Sequence, residues 1–228
     1  MRGMFFDETY LILIPAMIFA LFAQINVKST FNKYSRKNNA RGLTGAEIAR
    51  QILDANGLYN VKIEHISGSL TDHFSPNENV VRLSDDVYGK STIASAGVAA
   101  HEVGHAIQHS VGYAPIKIRN AIIPVTQIGS SISMPIFIIG IALSFKPLVT
   151  AGILLFSAVV FFQLITLPVE FNASRRALNT LESKNILEGD ELKGSAKVLR
   201  AAAMTYLAGL FSSLASLIRL IAISNRRD

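Results

Sequence analysis

The sequence predicts a mostly α-helical, multi-pass membrane protein with a small β-element. Three observations lead there. Four windows, 9–27, 120–145, 147–169 and 201–218, contain no Asp, Glu, Lys or Arg, and each is close to the ~20 apolar residues that cross a hydrocarbon core of ~30 Å. The rest of the 228 residues holds all 22 basic and all 16 acidic side chains, at the density of an ordinary soluble domain. Two short runs within that polar remainder, 61–64 and 80–84, alternate apolar and polar residues as strands do. A wholly soluble chain and a disordered chain are both excluded by the apolar blocks. The chain has no cysteine, so disulfides and thiolate metal sites are excluded, and any metal must use His, Asp or Glu.

The elements follow in order. Residues 1–27 form a first segment whose apolar run, 10–27, is expected to be a retained span. Its flank MRGMFFDE carries two acids and one Arg, and no small-residue cleavage site follows, which argues against a signal peptide. Residues 28–120 are the main polar region. There Thr44 and Glu47 form a capping box, Ile48, Ile52 and Leu53 recur at helical spacing, and Gly57 is a natural stop. The runs 61–64 and 80–84, separated by Gly68 and a turn at 76–79, suggest two strands, with 80–84 as a candidate edge for pairing with an extended peptide. Ser91 is the expected cap of a long helix reaching Ser110, with Gly112 just past its end. The small residues Ala94, Ser95, Ala96, Gly97, Ala99 and Ala100 suit that helix to close packing on another, within the chain or in a second subunit.

Residues 121–167 read as a transmembrane hairpin. Its first block has a polar start and an apolar core at 132–145; its second, 148–167, is the cleanest span, and only Lys146 and Pro147 stand between them. Residues 168–203 return to polar character, with Pro168 expected at a helix start. Residues 204–228 contain a fourth apolar block that either spans or lies along the interface, with Arg219 snorkelling. The two stretches 28–119 and 168–203 hold 17 of the 22 Lys and Arg. The positive-inside rule therefore puts them in the cytoplasm and the N-terminus outside. A full fourth crossing would place Arg226 and Arg227 outside, against that rule. The formal net charge of +6 is accounted for by topology and by attraction to anionic headgroups. No nucleic-acid module is visible.

The chemistry lies on the long polar helix, in His101-Glu102-Val103-Gly104-His105. Residues four apart share one helix face, so two imidazoles can grip one ion while Glu102 holds and deprotonates a water. This is the H-E-x-x-H arrangement of zinc hydrolases. A third ligand is needed. A metzincin would have Gly at 108 and His at 111; here they are Gln108 and Val111. His109 is about 12 Å from His101 along the axis at 1.5 Å per residue, so it reads as a neighbour of the ligands or an interfacial residue. Glu170 is the better third ligand. Two spans separate it from His105, so the chain returns to the same membrane face before Glu170 appears.

Taken together, HEVGHAIQH preceded by VAA, the hairpin, and then VEFNASRRA strongly resemble the YugP-type membrane zinc metallopeptidases, a neutral zinc metallopeptidase family. Residues 70–74 (LTDHF) and 81–84 (VRLS) share in the resemblance, which covers nearly the whole chain. More distantly the pattern is similar to the gluzincin membrane proteases of the HtpX and CAAX-protease kind, which join H-E-x-x-H, a transmembrane hairpin and a downstream E-F-x-A-D helix. The resemblance implies a gluzincin-like helical site with one Zn2+ per chain, held by His101, His105 and Glu170, and Glu102 as the base. Where the wider group has Asp four residues after the Glu ligand, this chain has Ser174, which offers a ligand His an uncharged hydrogen bond. His73 is the candidate donor to the oxyanion of a tetrahedral intermediate, with Asp72 orienting it; Tyr113, Arg175 and Arg176 are weaker candidates for that role.

The expected activity is a membrane-embedded zinc metalloendopeptidase with its site at the cytoplasmic face of the cell membrane, acting on membrane-associated proteins or peptides. The alternative is a zinc-binding membrane scaffold or chaperone subunit without turnover. Transport is disfavoured, because the spans carry no acid or lysine to move an ion. The bilayer and nearby protein or peptide substrates are the expected partners, with a homo-oligomer or a partner membrane protein left open.

Overall fold

The computed structural model describes residues 8–225. Arg226, Arg227 and the residues ahead of Glu8 lie outside the described residues. After a 3-10 turn at Glu8–Ile12 come α1 (Ile14–Tyr34), α2 (Gly45–Ala55), β1 (Lys62–His65), β2 (His73–Ser75), β3 (Val80–Leu83), α3 (Ile93–Ser110), α4 (Ala114–Ala142), α5 (Lys146–Ser183) and α6 (Gly189–Asn225). The molecule is mostly helical with a small sheet. Four of its helical stretches are long and apolar enough to cross a membrane: Glu8–Tyr34, Ala114–Ala142, Lys146–Ser183 and Gly189–Asn225.

Two compact units share this chain. The first comprises the residues up to Gln24, Ile118–Leu167 and the residues from Thr205 onward. Large apolar side chains such as Met17, Leu21, Ile138, Leu154, Phe161 and Phe211 stay exposed on it, which suits a surface solvated by lipid rather than water. Its α4–α5 hairpin is tight. A Cβ on Gly140 would lie 2.6 Å from the Val149 nitrogen, and one on Gly152 would lie 2.8 Å from Phe137 Cβ, so glycine alone lets the two backbones approach. Ser144 turns the chain at φ +52°. Near that turn Phe137, Val149 and Leu220 form an apolar cluster.

The fourth apolar block belongs to one continuous 37-residue helix, α6. The Arg219 guanidinium stacks 3.9 Å from the Tyr10 ring centroid, so its charge meets an aromatic face. Pro168 is also placed differently from the sequence expectation. It does not begin a helix but sits inside α5, which runs unbroken for 38 residues. Its missing N–H removes one ladder bond, a loss that a long apolar helix tolerates when the bonds on either side persist.

The second unit, Ile25–Lys117 with Pro168–Met204, has a buried apolar core. The capping box of α2 is complete: Glu47 N–H donates to Thr44 Oγ1, and Thr44 N–H donates to Glu47 Oε2. Ile48, Ile52 and Leu53 of α2 are fully buried with Val81, Leu83, Val103 and Leu181 in one cluster. The cap of α3 is Thr92 rather than Ser91, with Ser95 closing a second capping box. The Ser91 carbonyl instead accepts from Asn39 N–H at 2.9 Å, which ties the end of α1 to the start of α3. The small residues of α3 pack within the chain, for a Cβ on Gly97 would lie 2.4 Å from Ser195 Oγ of α6.

The sheet has three strands where two were expected, in the order β1-β3-β2. β1 runs parallel to β3 and β2 antiparallel to it. β3 is therefore central, and the edges are β1 and β2, which corrects the expectation that 80–84 would be the edge. A three-residue strand shows too little alternation to be read in the sequence. Asp72 pins it: its carboxylate accepts from Ser84 N–H at 2.7 Å and Ser84 Oγ–H at 3.0 Å.

Candidate metal centre

His101 and His105 lie on one face of α3, and Glu170 comes from the part of α5 that belongs to the same unit. Gly104 makes their meeting possible. A Cβ there would stand 2.8 Å from the Ala173 carbonyl oxygen and 3.2 Å from its Cα, so any larger residue would push α5 away. Glu170 Oε2 is 3.2 Å from His101 Nε2 and 3.5 Å from His105 Nε2. The three ligand atoms all lie within 4.8 Å of one another. The imidazoles are nearly perpendicular, at 83°, with centroids 4.8 Å apart.

The donor set fits a zinc ion. Two ligand atoms about 2.0–2.1 Å from a tetrahedral centre are ~3.3 Å apart, and both His–Glu separations match that edge. Each imidazole presents Nε2 to Glu170 and anchors Nδ1 on another side chain. His101 Nδ1 meets Ser174 Oγ at 3.2 Å, and His105 Nδ1 meets Gln108 Oε1 at 3.0 Å. His105 and Glu170 are buried, which keeps competing water away from these contacts.

Glu102 is buried beside the triad. Desolvation pushes its carboxyl up to about 7, opposed by the nearby His101 and by a hydrogen bond from the Phe74 backbone N–H. That last contact joins edge strand β2 to the motif helix. It was not legible in the sequence, because a backbone donor has no side-chain signature. Burial also raises Asp72 above the ordinary aspartate range, against the bonds from Ser84.

The other candidate residues have contacts of their own. His73 pairs in register with Arg82, so it shares that residue's face of the sheet, opposite Phe74 and the core. Its Nδ1 lies 2.9 Å from the Thr71 carbonyl. Asp72 holds Ser84 and does not orient His73. The engagement of Asp72 by Ser84 corrects the expectation that Asp72 orients His73. His109 is exposed, its ring 5.9 Å from that of Phe74. Arg176 Nε donates to Asn172 Oδ1 at 2.8 Å, and Arg175 is exposed.

Two imidazoles and a carboxylate at metal-ligand spacing, with a buried glutamate next to the first, are the donor set of a metallopeptidase, carried here by a chain with four span-length apolar helices. Residues 9–225 match the family described as "Putative neutral zinc metallopeptidase", and the chain belongs to that family. It is 48% identical over 216 residues to a Bacillus subtilis (strain 168) protein described as "Putative membrane protease YugP", covering 94% of this chain and 96% of that one. No solved structure matches it.

Proposed function

We propose that the chain is a membrane-embedded, gluzincin-like zinc metalloendopeptidase that hydrolyses peptide bonds of membrane-associated proteins or peptides. The observation that carries this reading is the convergence of His101 Nε2, His105 Nε2 and a Glu170 carboxylate oxygen, with buried Glu102 in the same helical turn. When bound there, zinc supplies Lewis-acid polarisation and a water acidic enough to ionise near neutral pH. His101, His105 and Glu170 would hold the ion. Glu102 takes the proton of the attacking water and delivers it to the nitrogen of the leaving amine. The Phe74 N–H keeps that carboxylate oriented. The edge of β2 lies beside Glu102 and offers main-chain groups for an extended peptide.

The positive-inside rule favours the cytoplasm for this unit, since Lys28, Lys33, Arg36, Lys37, Arg41, Arg175 and Arg176 flank the spans on its side. The deciding experiment pairs metal analysis with cleavage of a peptide library by purified protein. Glu102→Gln is expected to keep its metal and lose activity by at least 100-fold, whereas Glu170→Ala is expected to lose both. Full cleavage by Glu102→Gln would overturn the mechanism. Metal without cleavage in the wild type would favour a scaffold role.

A further inference from the structure

Gln108 is fully buried on α3, one turn beyond His105, and the zinc-hydrolase motif does not call for it. Its Nε2 donates to the Val169 carbonyl at 2.8 Å and to Asn172 Oδ1 at 3.0 Å, while its Oε1 faces His105 Nδ1 at 3.0 Å. Asn172 Oδ1 also accepts from Arg176 Nε. These contacts have a direction. A backbone carbonyl only accepts, so the amide nitrogen of Gln108 must face Val169. The amide oxygen must then face His105, and an oxygen there requires a proton on Nδ1. A neutral His105 therefore keeps a bare lone pair on Nε2, aimed at Glu170 Oε2 3.5 Å away. Two acceptors facing one another call for a cation between them.

We propose that Gln108 is a positioning residue for the metal centre: anchored by the Val169 carbonyl, it fixes the tautomer of His105 and ties that ligand to the turn of α5 that carries Glu170. Ser174 does not have this effect on His101, because a hydroxyl can turn to donate or accept. The directional partner of this site is thus an amide on the motif helix itself. The inference rests on the zinc reading above.

Two measurements on the full chain in detergent or nanodiscs test it. The first is zinc affinity by chelator competition. Gln108→Leu is expected to weaken binding about 10–100-fold, and Asn172→Leu, which leaves the Val169 anchor in place, is expected to stay within about threefold of wild type. Wild-type affinity in a folded Gln108→Leu overturns the proposal. The second needs no substitution at Gln108 and so stands even if that variant fails to fold. Nitrogen-15 NMR of histidine-labelled, metal-free wild type at pH 8, with His105→Gln for assignment, is expected to show the Nδ1–H tautomer. A His105 ring whose Nδ1 carries no proton overturns the proposal. A wild type that binds no zinc while showing that tautomer would count against the zinc reading alone.

Discussion

At the scale of single residues, His101, His105 and Glu102 are each held from behind by a neighbour. Ser174 presents an uncharged oxygen to His101 Nδ1, where a carboxylate would make that imidazole a stronger donor to metal. Ser174→Asp is therefore expected to tighten zinc binding several-fold, as measured by chelator competition. Asp72 offers a test through pH. Its folded carboxyl is raised above the ordinary range by burial, so the folded chain holds that proton more tightly than the unfolded chain. The associated stability is full below the unfolded aspartate pKa, about 3.9, and is lost as pH rises through the raised folded value. Asp72→Asn has no such loss, so its melting temperature is expected to gain on wild type between pH 4 and pH 7. Asp72→Ala, which strips both bonds from Ser84, is expected to cost about 1.5–3 kcal/mol. The spacing of His101, Glu102 and His105 was legible in the sequence because helical period alone puts the two imidazoles on one face. Gln108, the Phe74 N–H and the orientation of His73 were not, since each depends on which strand or helix lies opposite.

At the scale of elements, the approach of α3 to α5 decides whether the ligands meet. Gly104→Ala would put a methyl 2.8 Å from the Ala173 carbonyl, and overpacking of this kind costs about 1–3 kcal/mol. Both lower thermal stability and a loss of zinc affinity are expected; unchanged affinity by chelator competition would show that the helices can part without disturbing the ligands. The capping box of α2 was readable because its four residues are contiguous. The cap of α3 shifted by one residue because the Ser91 carbonyl is taken by Asn39, more than fifty positions earlier. Pro168 read as a helix start by its local preference, yet the apolar residues before it and the packed residues after it belong to one helix.

At the scale of the whole molecule, the chain passes between its two units four times, near residues 24, 117, 167 and 204. In the topology proposed above, two crossings between the polar stretches would keep them on one side of a bilayer. The absence of cysteine gives a clean background for testing this. Ser69→Cys is expected to react with an impermeant thiol reagent only after the cytoplasmic side is opened, and Leu143→Cys in intact cells. The reverse pattern would invert the topology. The apolar blocks were legible as charge-free windows, while the pairing of Arg219 with Tyr10 was not, because those residues are at opposite ends of the sequence. The hairpin also has a temporal meaning. Glu170 follows His101 by 69 residues, so a ribosome exposes both imidazoles long before the carboxylate exists. On the proposed ligand set, a nascent chain holding only the two imidazoles would be a weak chelator, and the third ligand would arrive only after two apolar blocks have been synthesised. The order of translation would thus delay assembly of the proposed centre until the hairpin has been made.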